Sequence, residues 1–301
     1  MKQRRPKTAI LILSHIASRH VEGHFRRIKG ECGACCTVVS LCDNTSGVFD
    51  RKKDQDDYFL FSLKQLAALN YPGKAPIYSE QARQDNPHHK EFNFRPGSIE
   101  LPVLLYYRHH PEHDHYWVVE YDVRYSGSWR QFFSFFSDWD TDLLGTTINR
   151  YDEVPDWFHW QALDLGDMPI GKDKYIRGFF PIYRISRRAL AQLDRDYQTG
   201  VSGHFECLGP TLLCHAGMTI EDIGGDGAFV RPDCVNRFYD NTPTNDTLSP
   251  GSFVFRPAMH RPGKEPNRLW HPVKPVPAWR AALRGAKRTL SRTRRKARPV
   301  S

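Results

Sequence analysis

His115-Tyr116-Trp117-Val118-Val119-Glu120-Tyr121-Asp122-Val123-Arg124-Tyr125-Ser126-Gly127-Ser128-Trp129 is the stretch on which the reading of this chain turns. Tyr116 to Val119 is a short apolar run with β-branched and aromatic members, the pattern of a strand buried on both faces of a parallel sheet. Glu120 and Asp122 then stand at its carboxyl end, and a Ser-Gly-Ser turn follows. In an open α/β sheet, ligands bind outside the carboxyl ends of the strands. A carboxylate pair there can hold a divalent ion, because Mg²⁺ and Mn²⁺ combine one or two carboxylates with phosphate oxygens of a substrate. Ordinary strand ends also carry acidic-x-Asp triplets, so the pair gains weight only from its surroundings.

Upstream, Thr8-Ala9-Ile10-Leu11-Ile12-Leu13 reads as a first central strand, with Ser14 and His15 at its carboxyl end. Ile16 to Lys29 has helical spacing, with Ile16, Val21, Phe25 and Ile28 as core contacts, and Cys36 to Cys42 is a second strand with Asp43 to Gly47 as its polar exit. Strand, helix, strand implies a right-handed parallel unit. Asp57 to Asn70 carries Phe59, Leu60, Leu63, Leu66 and Leu69 at helical spacing and ends at Pro72-Gly73. Glu80 to Pro96 reads as a surface loop, and Ile99 to His109 as a helix leading into the acidic strand.

Downstream, Trp129 to Phe136 predicts a helix capped by Ser128, and Asp142 to Thr147 a strand. Asp156 to Trp160 is an aromatic cluster that either stacks on a flat ligand or folds back as a satellite core. Phe179 to Ser186 leads into a helix over Arg187 to Tyr197, capped by Ser186. A second helix lies near Leu208 to His215, an edge strand over Met218 to Gly227 and a last strand at Phe253 to Phe255. Trp270 to Pro275 closes the globular part.

The chain has 301 residues and a formal charge of +9, with 40% apolar residues, within the range of one large soluble α/β domain. The charge is concentrated: Arg280 to Arg298 contains only basic charges. Residues 1–278 therefore read as a single domain, and 279–301 as a basic, disordered tail. Such a tail suits an anionic membrane surface, at about 1 kcal/mol per basic residue. The near-neutral body offers no basic groove, so nucleic acid is not expected as a partner. No apolar run approaches the ~20 residues of a spanning helix, and the N-terminus lacks a secretory pattern. Seven cysteines without an export signal suggest reduced thiols and a cytoplasmic protein, peripheral at the inner face of a membrane. Cys32-Gly33-Ala34-Cys35, with Cys36 adjacent, leaves a zinc knuckle or redox pair open on an incomplete ligand set. His109 to His115 is rich in imidazoles and reads either as a solvated turn or as a metal-binding patch.

The layout of Ile10–Ser14, Val38–Asp43 and Tyr116–Asp122 resembles the nucleotide-sugar glycosyltransferases of GT-A fold. More closely, Tyr116 to Gly127, with Gly203-His204-Phe205-Glu206 and Trp270-His271-Pro272-Val273-Lys274, looks like a little-characterised group of GT-A-like proteins, over roughly Lys7 to Pro275. That resemblance implies a Rossmann-type α/β sandwich with a mostly parallel central sheet flanked by helices. It implies Asp122 as the principal ligand of Mn²⁺ or Mg²⁺, with His271 on the same metal. Ser14, His15, Asp43 and Glu120 would bind the nucleotide, although Glu120 stands where the family places Asp. Glu206 would take the proton of an acceptor hydroxyl. The implied activity is metal-dependent transfer of a sugar from a nucleotide-sugar donor to a hydroxyl of a glycan or glycolipid, lipid-linked and cell-envelope acceptors included. The alternatives are a nucleotidyltransferase, which would want a Gly-rich phosphate loop that Ser14 to Gly23 lacks, and a non-catalytic nucleotide- or sugar-binding protein.

Overall fold

The computed structural model describes residues 6–74, 97–240 and 251–274. The expected surface loop from Glu80 to Pro96 and the basic tail from 279 onward lie outside the described residues.

A mixed α/β architecture forms around a seven-stranded sheet. Its strands are β1 (Thr8–Ser14), β2 (Thr37–Asp43), β3 (Tyr58–Phe61), β4 (His115–Glu120), β6 (Leu143–Arg150), β7 (Ile176–Ser186) and β8 (Ile220–Asp222). The spatial order is β3-β2-β1-β4-β7-β6-β8. β1 pairs in parallel with β2 and β4, β2 with β3, and β6 with β8. β7 alone runs antiparallel, between β4 and β6. A short second ribbon joins β5 (Arg124–Tyr125) to β9 (Leu269–Trp270).

The apolar runs are explained by burial on both faces. Alternate residues of one strand enter opposite cores. Ala9, Leu11, Tyr116 and Val118 pack on one side, and Ile10, Ile12, Trp117 and Val119 on the other. The first face is covered by α2 (Leu63–Ala67), α3 (Leu101–His109), α5 (Arg187–Tyr197) and α6 (Phe205–His215), through Leu66, Leu104, Leu193 and Leu212. The second is covered by α1 (Arg19–Cys32) and α4 (Trp129–Phe135), through Phe25, Ile28, Trp129 and Phe132. Arg184 is buried in β7, where its two terminal guanidinium nitrogens donate to the carbonyls of Phe136, Trp139 and Thr141.

Several local expectations shift. The helix expected over Asp57–Asn70 is a strand, β3, followed by α2, with Ser62 and Gln65 forming a capping box between them. Consecutive Tyr58-Phe59-Leu60-Phe61 mimics helical spacing, but its β-prone side chains pair with the free edge of β2. α1 starts at Arg19 rather than Ile16, because the Ile16 N–H is held by Ser14 Oγ and Ser18 supplies the cap. Ser128 does not cap α4. Its hydroxyl bonds to Glu31, whose carboxylate accepts the Trp129 N–H at 2.7 Å, so the cap comes from α1. Phe253–Phe255 is no strand; Phe253 makes an isolated bridge to His271. Among the described residues, no helix is long and apolar enough to cross a membrane.

Candidate functional site

The ribbon of β5 and β9 assembles the site. Arg124 pairs with Trp270, and the Val273 N–H bonds to the Asp122 carbonyl at 2.7 Å. The segment just after the acidic strand is thereby clamped to a segment far downstream, and His271 arrives beside Asp122. Arg124, buried, donates to the carbonyls of Tyr121 and Val123 and so fixes the turn that carries Asp122.

His271 Nε2 lies 3.5 Å from Asp122 Oδ1 and 3.8 Å from Glu120 Oε2. One ligand atom from each of the three falls within 4.8 Å of the others. His271 Nδ1 is 2.8 Å from the Val254 carbonyl, which makes Nδ1 the protonated nitrogen and turns the Nε2 lone pair toward the carboxylates. Burial pushes the imidazole down to about 4, against the attraction of Asp122, so the ring is neutral and ready to ligate. Asp122 Oδ1 is buried without a hydrogen-bond partner, an arrangement that costs free energy unless something positive fills the gap. Two carboxylates and one neutral imidazole suit Mn²⁺ or Mg²⁺, so these residues fit the expected ion. Burial, and next the charges of Asp122 and Glu206, push Glu120 up to about 8.

The four expected nucleotide residues do gather. A cavity of about 360 Å³ at the carboxyl ends of the parallel strands is lined by Ser14, His15, Asp43 and Glu120, with Phe61 and Tyr121 among its walls. Their common cause is register: Ser14 ends β1 beside Cys42, which precedes Asp43 in β2, and Leu13 pairs with Glu120. His15 stands edge-on to Tyr121 at 5.2 Å, and its pKa is lowered by burial, against Asp43. Asp43 keeps one oxygen on Thr45, whose N–H and hydroxyl donate to Oδ1 at 2.9 and 2.6 Å. The Ser14 hydroxyl is occupied by Ile16, donating to its carbonyl and accepting its N–H, so Ser14 shapes the pocket wall. A neighbouring cavity of about 250 Å³ lies beyond the Ile16–Ser18 loop and contains none of the expected residues.

Glu206 sits in the first turn of α6, with its side chain 12% exposed. Burial pushes it up to about 7, against Arg177 and the Phe180 N–H. Its charge acts on Glu120 and raises that carboxyl. His204 caps α6 by accepting the Glu206 N–H at Nδ1, and that nitrogen is 3.8 Å from the Glu206 carboxylate. Lys274, not among the expected site residues, holds Nζ 3.6 Å from Asp122 Oδ2. Burial opposes its charge, but Tyr121 and Asp122 outweigh it and raise its pKa. The only sequence signal for Lys274 was its place two residues beyond His271-Pro272.

Among the described residues, a second set with ligand atoms within 4.8 Å is His159, His204 and Glu206. The two imidazoles stack at 3.9 Å with planes 21° apart, so their lone pairs lie in nearly parallel, offset planes, a poor arrangement for two ligands of one ion. Among the described residues, neither the Cys32–Cys36 turn nor the His109–His115 segment forms such a three-residue set. All seven cysteines are free thiols.

The family described as "Protein of unknown function (DUF3405)" matches residues 63–142, less than a third of the chain. The match runs from α2 through the acidic strand end and stops short of Glu206 and His271. No curated protein matches the chain.

Proposed function

We propose that this protein is a metal-dependent glycosyltransferase of GT-A type that moves a sugar from a nucleotide-sugar donor to a hydroxyl acceptor. The observation that carries the reading is the convergence of Glu120, Asp122 and His271 at the edge of the cavity that contains Ser14, His15 and Asp43. The nucleotide lies at the carboxyl ends of β1 and β2, with Asp43 and His15 toward the base and ribose. Asp122 and His271 would hold Mn²⁺ or Mg²⁺, and the ion would supply positive charge against a diphosphate leaving group. Lys274, half exposed beside Asp122, adds a positive charge where that diphosphate leaves. Glu206 accepts the proton of the acceptor hydroxyl as its oxygen bonds to the anomeric carbon. A carboxyl raised to about 7 is well matched to that task near neutral pH.

The test is thermal stability against UDP-, GDP-, CMP- and dTDP-linked sugars, with and without Mn²⁺, on wild type and Asp122→Ala. Ligands that bind the native state raise its stability by mass action. A shift that needs Mn²⁺ for one nucleotide class and is lost in Asp122→Ala supports the reading and names the donor class. A folded protein that shifts with none of them rejects it in favour of a non-catalytic binding protein.

A further inference from the structure

We infer that the acceptor of this site is a saccharide, and that the aromatic loop 156–160 is the shelf on which its ring lies. The inference rests on the reading of Glu206 as the base and locates where the acceptor's ring is held. An unbroken row of rings leads from solvent to that carboxylate. Phe158, 53% exposed, is the outer end. Its ring centroid lies 3.8 Å from that of His159, and Trp157 lies 4.9 Å from His159 edge-on. His159 stacks on His204 at 3.9 Å, and His204 Nδ1 is 3.8 Å from Glu206 Oε2.

The shelf is anchored before any ligand arrives. Trp160 is buried, donates its indole N–H to the Val154 carbonyl at 2.8 Å, and packs against Tyr151 and Tyr175. The Arg177 guanidinium lies over the Trp157 ring at 5.1 Å, and its charge also acts on Glu206. The loop therefore folds partly inward as a satellite core while its outer rings stay accessible. A pre-formed shelf spares the ordering cost of binding.

A pyranose ring presents a face of C–H groups and a rim of hydroxyls. The C–H face lies flat on an aromatic ring, and the rim hydroxyls need polar groups at the ring's edge. Phe158 offers the flat half of that pattern; His159 and His204, with successive ring centroids 3.8 and 3.9 Å apart, stand between it and Glu206, so a saccharide of more than one unit meets both the ring and the carboxylate. A serine or threonine hydroxyl on a peptide has no flat apolar face to fill the shelf, and an acyl chain calls for a channel.

The experiment is saturation-transfer NMR on the intact protein, with the aromatic protons irradiated in the presence of a panel of neutral oligosaccharides. It is run on wild type, Phe158→Ala, Phe158→Trp and Trp157→Ala, with UDP binding measured in parallel. The expected result is transfer to the C–H protons of one sugar face. Phe158→Ala weakens binding tenfold or more with an unchanged melting temperature, and Phe158→Trp retains it. Absence of saccharide binding at millimolar concentration, with nucleotide binding intact, overturns the inference. So does binding indifferent to both alanine variants. Saccharide binding that follows these variants in a protein with no nucleotide affinity supports the shelf and removes the transferase reading, so the two failures are distinguishable.

Discussion

Replacing Glu120 by Gln should stabilise the metal-free protein at alkaline pH. Glu120 is held beside Asp122 in a largely buried site where the charge of Glu206 also acts on it, and its carboxyl rises from an ordinary 4.5 to about 8. The folded chain therefore binds more protons than the unfolded chain between those two values, and stability falls as pH rises through that window. The penalty is absent below pH 4.5 and complete above pH 8. Fully expressed, a displacement of that size has a ceiling of about 5 kcal/mol. The side chain is 26% exposed, and solvent screening reduces the expected penalty to about 2 kcal/mol. Glu120→Gln removes it. With an m-value of about 3 kcal/mol/M, the urea midpoint at pH 8.5 in EDTA should rise by roughly 0.7 M over wild type, and the two proteins should coincide at pH 4.5. Added Mn²⁺ should shrink the difference, because the wild-type carboxylate then has a positive partner. Equal midpoints at pH 8.5, or an equal slope from pH 5 to 8.5, would show that Glu120 is not held in the charged, desolvated cluster described above.

The base assignment predicts that Glu206→Gln lowers kcat by about 10² to 10⁴-fold while leaving nucleotide affinity within about twofold. In wild type the rate should rise with pH through about 7, as Glu206 loses its proton. A variant of undiminished rate would refute the role. Gly97 has φ +79°, and a Cβ there would overlap the His204 imidazole. Gly97→Ala should cost about 1–3 kcal/mol in chemical unfolding, whereas Gly166→Ala, at φ +53° with nothing within 4 Å, should cost about 1 kcal/mol. Arg184→Met strands three buried carbonyls that now share one guanidinium. It should destabilise by at least about 3 kcal/mol, measured by urea unfolding without any ligand.

The sequence by itself determined the elements whose burial is written locally. Ala9-Ile10-Leu11-Ile12 and Tyr116-Trp117-Val118-Val119 read as inner strands, because their short runs are rich in β-branched and aromatic residues and a sheet covered on both faces hides them all. Ser186 had to start α5, since its hydroxyl accepts the Ala189 N–H. From strand polarity alone, Ser14, His15, Asp43 and Glu120 followed as residues of one edge, and one cavity contains all four. Tyr58–Phe61 misled because four consecutive apolar residues fit either period, and the choice lay with the open edge of β2. The reversed direction of β7 between β4 and β6 was equally illegible: an inner strand has the same apolar run in either direction. His271, Lys274 and Glu206 reach the acidic strand end only through long-range pairing. The β5–β9 ribbon delivers the first two, and α6 packed against β7 delivers the third. A strand's apolar pattern records its burial, which is local. The neighbour it meets is decided by the free energy of the whole sheet, which only the tertiary structure contains.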